Sequence, residues 1–114
     1  MGVIFRSTLF KAPDAESQAR LLEAYSTLKQ NQVKDGKPYI IGVEARLLLD
    51  DPRSNGYTVV ARTLFSSVED MKYYDTECPA HKELRKTASG LIAERPLVVA
   101  VESEATEAML ALLG

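Results

Sequence analysis

The chain has 114 residues, 46% of them apolar and 26% charged, with a formal net charge of −2. That length supports one domain of ordinary size, and the balance of residue types is that of a folded globular protein. No basic stripe is present for a nucleic acid, and no apolar run reaches the roughly 20 residues needed to cross a bilayer, so neither nucleic acid nor membrane is expected as a partner. The opening Met1–Arg6 lacks a basic segment followed by a long apolar core, so no secretory signal is expected. The single cysteine, Cys78, forms no internal disulfide and suits a reducing compartment, and a cytoplasmic location is the expectation.

Val3 to Phe10 reads as a strand, with Phe5, Ser7 and Leu9 on one side and Ile4, Arg6, Thr8 and Phe10 on the other. Lys11-Ala12-Pro13-Asp14 breaks it and offers Asp14 as a helix N-cap, with Ser17 as the alternative. Leu21, Leu22, Tyr25 and Leu28 then recur at helical spacing, predicting an amphipathic helix to about Val33. Asp35-Gly36-Lys37-Pro38 is turn chemistry, and a second strand is predicted within Tyr39–Leu49. After a polar loop, Asp50–Gly56, a third strand is predicted over Tyr57–Phe65.

Ser66 or Ser67 caps the next helix, with Asp70 three residues after Ser67 in a capping-box position. This helix passes through Met71 and Tyr74, kinks at Glu77-Cys78-Pro79, and resumes as Ala80–Ser89. Leu97–Val101 is a continuous apolar fourth strand, and Ser103–Leu113 reads as a short tail helix. The order strand, helix, strand, strand, helix, strand predicts an α+β, ferredoxin-like βαββαβ fold. Its four-stranded antiparallel sheet carries both helices on one face. The whole chain, 1–114, is expected to be one domain with its core at about 3–102 and a tail at 103–114.

Helices on one side leave the opposite sheet face bare. Ile4, Thr8 and Phe10, with Tyr57, Val59, Ala61, Thr63 and Phe65, are assigned to that face. A surface so apolar is expected to be buried by a second copy, giving a homodimer through the sheets. On that assignment Ala61→Glu would dissociate or unfold the dimer.

Several segments carry a resemblance. Arg6-Ser7-Thr8-Leu9-Phe10-Lys11, Gly56-Tyr57-Thr58-Val59, and Tyr74 followed by Pro79-Ala80-His81 together resemble the stress-responsive A/B barrel domain family. The similarity spans about residues 3–102 and is densest over 56–84. It implies a dimeric α+β barrel and, for olivetolic acid cyclase-like members, closure of a poly-β-keto chain without a cofactor. On matching positions His81, the one histidine of the chain, would be the general base. Tyr74 would be the hydroxyl that orients or polarises a carbonyl. Arg6 stands where the family usually has a histidine and would supply a fixed positive charge to a carboxylate or enolate. Val59 replaces a second histidine. With Tyr57 and Phe10 from the same segments, Arg6 and Val59 complete the expected substrate-binding positions.

The chemistry suits these residue types. A neutral imidazole with a pKa of about 6.5 takes a proton from carbon flanked by two carbonyls, and a phenol donates to the enolate that develops. Each residue also has a plain structural reading. His81 caps a helix start; one of Tyr73 and Tyr74 is core and the other partly wet; Arg6 pairs with a carboxylate across a dimer; Cys78 is a buried thiol. Glu69, Asp70 and Asp75 read as a solvated helix face. One histidine and one cysteine are too few for a zinc or iron site, and no glycine-rich phosphate loop is present, so no metal or cofactor is expected.

Three functions follow, in order of residue support. The first is a homodimer whose small cavity accepts a hydrophobic or carbonyl-rich ligand, acting as a cofactor-free polyketide cyclase or lyase. The second is a non-catalytic, stress-induced dimer that only binds such a ligand. The third is a cofactor-independent monooxygenase of the wider dimeric barrel superfamily.

Overall fold

The computed structural model describes residues 2–104. The strands are β1 (Val3–Phe10), β2 (Ile40–Leu47), β3 (Val59–Phe65) and β4 (Leu97–Ser103), and the helices are α1 (Ala15–Asn31), α2 (Val68–Thr76) and α3 (Pro79–Ser89). The sheet order is β2-β3-β1-β4 with every neighbouring pair antiparallel, which is the ferredoxin-like arrangement expected from the order of elements. The rest of the expected tail helix lies outside the described residues. Among those described, no helix is long and apolar enough to cross a membrane.

Local chemistry sets the element ends. The Asp14 carboxylate accepts from the Ser17 N–H at 2.8 Å and caps α1. Ser67 Oγ accepts from the Asp70 N–H at 3.1 Å and caps α2. Asp35 and Gly36, and later Asn55 and Gly56, take positive φ in the two turns, a conformation that asparagine, aspartate and glycine reach most easily. Pro79 has no N–H to continue the α2 ladder, so the chain breaks at Glu77-Cys78 and restarts with proline at the first position of α3.

The core lies between the sheet and the helices. Ile4, Phe10, Val59, Ala61 and Phe65 pack there against Leu21, Tyr25, Leu28, Tyr74 and Leu84. This reverses the expected phase of the strands. The face assigned to a dimer partner is the face beneath the helices, and Ala61, 1% exposed, would destabilise the core itself if replaced by glutamate. Both sets of β1 contain large apolar residues, so alternation separates the two faces without saying which one is inward. The face away from the helices carries Phe5, Leu9, Val60 and Leu64, continued onto β4 by Leu97, Val99 and Val101. Toward β2 this face turns polar, where Arg62 Nε donates to Glu44 at 3.0 Å.

One buried amide closes the end of α1 onto β2. Gln32, 7% exposed, accepts from the N–H groups of Tyr39 and Ile40 at 2.9 and 3.0 Å through one oxygen. Both donors lie at the bulged start of β2, beyond the reach of the regular ladder. Gln32→Ala would orphan them, so urea unfolding should show a loss of about 2 kcal/mol with little change in the slope against denaturant.

Candidate functional site

The site is built on the break between α2 and α3. Because Pro79 restarts the helix, His81 falls in its first turn, where its ring reaches back over the preceding segment. There its Nδ1 lies 2.7 Å from the carbonyl oxygen of Tyr74. A carbonyl only accepts, so Nδ1 carries the proton and Nε2 is left with its lone pair. The imidazole also stacks on the Tyr74 ring, with centroids 3.6 Å apart and planes 10° from parallel. His81 is 5% exposed, and burial drives its pKa from about 6.5 down to about 4, although the Tyr74 carbonyl opposes the shift. At neutral pH the ring is therefore uncharged and able to accept a proton.

Arg6 approaches the same tyrosine from the middle of β1. Its guanidinium carbon lies 5.3 Å from the Tyr74 ring centre, and its Nη1 donates to Asp75 Oδ1 at 2.6 Å. The carboxylate expected across a dimer is thus supplied by the same chain, one residue from Tyr74. Asp75 stays 40% exposed although it pairs with Arg6, Asp70 is largely buried and its carboxylate meets Lys34 at 2.7 Å, and Glu69 is exposed as expected.

Beside these residues a cleft of about 720 Å³ opens between the sheet and α3. It exists because β4 stays exposed on its helix-facing side, at Val98 and Ala100, while the helices cover the other strands. Arg6, Phe10 and His81 line this cleft, so three of the expected positions meet at one site. Tyr74 lies directly behind them, 2% exposed and packed between the His81 ring and Phe65. Tyr57 and Val59 are not among the lining residues. Val59 is fully buried in the core, and Tyr57 is half-buried beneath Lys11, whose Nζ is 4.9 Å from its ring centre.

Other lining residues were not anticipated, among them two that carry hydroxyls. Tyr25, read as core from the apolar stripe of α1, and Thr8, read as sheet surface, both line the cleft. Burial raises the Tyr25 phenol above its ordinary range, with the Arg6 charge and the polar groups of Tyr74 and Thr8 acting in opposition. Burial likewise raises Tyr74, and the neighbouring Tyr25 adds to the effect. Both phenols are thereby kept protonated and able to donate. Nothing in a periodic pattern separates a tyrosine packed only in the core from one that also lines a cleft. Cys78 is fully buried, and among the described residues no three His, Cys, Asp or Glu side chains are placed to hold a metal ion.

The His81 shift has a consequence for stability. The unfolded chain takes up a proton below about pH 6.5, whereas the folded chain resists it until about pH 4. The stabilising contribution is therefore complete above about 6.5 and is lost as pH falls from there toward 4. Urea unfolding at pH 7 and pH 5 should show this loss for the wild type and much less of it for His81→Asn. An equal loss in both proteins would mean that His81 is not the group responsible.

The comparisons agree with this architecture. A protein of Gibberella zeae described as a Fusaristatin A biosynthesis cluster protein is 42% identical over 103 residues, covering 90% of this chain and 75% of its own length. Two solved structures share the fold at low identity. The hydroxynitrile lyase from Passiflora edulis superposes with a TM-score of 0.70 at 15% identity, covering 91% of this chain and 95% of its own. A dimeric ferredoxin-like protein from Bacteroides fragilis gives a TM-score of 0.69 at 19% identity, covering 89% of this chain and 96% of its own. The model of the Stress responsive A/B Barrel Domain matches residues 4–105, and the chain belongs to that family.

Proposed function

We propose that this protein is a homodimeric, cofactor-free enzyme that forms or breaks carbon–carbon bonds in a carbonyl-rich substrate, as a cyclase or lyase. The observation that carries this reading is His81. Its Nδ1 is engaged by the Tyr74 carbonyl, its ring is neutral, and it lines a cleft of about 720 Å³, a volume suited to a small organic ligand. In the cyclase direction, His81 Nε2 removes a proton from a carbon between two carbonyls, and the C–H electron pair moves onto a carbonyl oxygen as an enolate. Arg6 supplies positive charge beside it, and the phenol of Tyr25, which lines the same cleft, donates to the same oxygen. The enolate carbon then attacks a second carbonyl of the chain. The alkoxide that forms recovers the proton from the imidazolium, so the enzyme ends as it began. In the lyase direction the same steps run backwards. Tyr74 acts from behind, holding the imidazole flat.

A fold-neighbour described as a hydroxynitrile lyase is in keeping with this reading, and the relative described as a biosynthesis cluster protein is in keeping with a place in small-molecule synthesis. His81→Gln keeps an amide able to reach the Tyr74 carbonyl but has no basic nitrogen. Turnover of a linear poly-β-keto substrate should then fall by about a hundredfold or more, with little change in melting temperature. The competing reading is a dimer that binds an apolar ligand without reacting it, and the observation that favours it is that His81 also ties α3 to the end of α2. Under that reading the wild type shows no turnover, and His81→Gln alters stability but not ligand affinity.

The dimer forms through the sheet face that carries Phe5, Leu9, Val60, Val99 and Val101, the last two being 50% and 61% exposed. Fold-neighbours described as dimeric support it. Sedimentation equilibrium should give about twice the 12.6 kDa chain mass. Val101→Glu should shift that mass toward the monomer while far-ultraviolet circular dichroism is retained, since the side chain is 61% exposed within its own chain. A wild-type monomer at micromolar concentration would remove the interface.

A further inference from the structure

The guanidinium of Arg6 is under-partnered for a charge so deeply placed. Arg6 is 8% exposed and carries five N–H donors in a fixed fork, yet among the described residues its one hydrogen-bond partner is Asp75. Its Nε is buried and, among the described residues, has no hydrogen-bond partner. An arginine does not shed its charge, so an interior guanidinium requires compensation by anions or acceptors. Asp75 provides part of this from the rim, where its side chain is 40% exposed. Arg6 also lines the cleft, where the other lining carboxylate, Glu94, is engaged by Lys11 instead.

The wider balance of charge points the same way. The lining residues include Arg6, Arg85 and Arg95 against two carboxylates, Asp75 and Glu94. Glu94 is already bound by Lys11 at 2.6 Å, and Lys11 is not itself a lining residue. Arg85 donates to the Asp75 backbone carbonyl, at 3.1 Å, and neither it nor Arg95 has a carboxylate within ion-pair distance among the described residues. A chain of net charge −2 has thus gathered an excess of guanidinium around one cleft. The same cleft is also lined by Phe10, Leu84 and Val98, which suit an aliphatic body.

We infer that this cleft recognises a carboxylate: its ligand is an organic acid whose carboxylate is held by Arg6, with the aliphatic chain lying along Phe10, Leu84 and Val98. Arg6 and His81 both contact the Tyr74 ring, so the bound carboxylate sits within one aromatic ring of the imidazole. This deepens the proposed function, on which its relevance to turnover rests, by giving the substrate class as a carbonyl-rich acid rather than a neutral ketone. Burial holds the imidazole a weak base in the empty site, and an anion placed beside it raises its proton affinity, coupling acid binding to the activation of His81.

Octanoate and methyl octanoate separate this recognition from catalysis, since neither is turned over. Isothermal titration at neutral pH should show octanoate binding the wild type about tenfold or more tightly than the ester. That preference should vanish in Arg6→Met, persist in part in Arg6→Lys, and survive in His81→Gln. Proton resonances of the His81 ring should titrate at higher pH with octanoate bound than with the ester. Equal affinities for acid and ester in the wild type, no measurable octanoate binding at millimolar concentration, or a preference retained in Arg6→Met would each overturn the inference. The wild-type comparison and the His81 titration decide the matter even if Arg6→Met fails to fold. Acid preference in a protein that turns over no poly-β-keto substrate would uphold the carboxylate subsite and remove the cyclase reading. Turnover without acid preference would do the reverse.

Discussion

The contact between His81 Nδ1 and the Tyr74 carbonyl spans the break between two helices, and much of the site depends on it. Pro79 interrupts the ladder of α2, which leaves carbonyls near the helix end in need of donors. Backbone N–H groups of Glu77 and Cys78 serve the Tyr73 carbonyl, and the imidazole serves that of Tyr74. One hydrogen bond thereby closes a helix end, fixes the tautomer and lays the ring flat on the tyrosine. The same act that satisfies the backbone sets the chemical state of the side chain. The structural role of this residue is therefore compatible with the proposed catalytic one, because the hydrogen bond that closes the helix end is also the one that leaves Nε2 with its lone pair.

Tyr74 is the common surface against which a base and a cation are held. Its ring carries His81 stacked at 3.6 Å and Arg6 at 5.3 Å, and Phe65 backs it at 5.2 Å. Such packing holds the polar partners in one arrangement at a cost in rotamer freedom, since a rigid ring and anchored neighbours leave few alternatives. Burial then acts on both in ways that follow from their chemistry. The imidazole gives up its charge, while the guanidinium keeps its charge and draws Asp75 toward it. An uncharged base beside a permanent cation is an arrangement suited to generating and holding an enolate in a site partly screened from water.

The fold supplies the opening. With β4 at the sheet edge next to β1, the helices cover the inner strands and leave the helix-facing side of β4 exposed. Arg6 and Phe10 on β1 consequently form the floor of the cleft, and α3 forms one side of it. The opposite sheet face, apolar along β1 and β4 and charged toward β2, is divided so that a partner would meet the apolar half.

The sequence by itself determined the order and type of the elements, because turn residues, caps and hydrophobic periodicity act over a few residues and each has a local cause. Asp14, Ser67, Gly36 and Pro79 stand at the ends the structure shows, and the segments around Arg6, Gly56-Tyr57 and Pro79-Ala80-His81 were enough to indicate the family. Which face of the sheet is inward was decided only by the tertiary structure, since Ile4 and Phe10 are no more apolar to the eye than Phe5 and Leu9, and only the packed helices distinguish them. The partner of Arg6 was equally out of reach, because Asp75 lies 69 positions away and looks like any acidic residue on a helix surface. So was the membership of the cleft, where Tyr25 and Thr8 enter while Tyr57 and Val59 stay outside. Long-range proximity depends on how whole elements pack, and no short-range pattern encodes it.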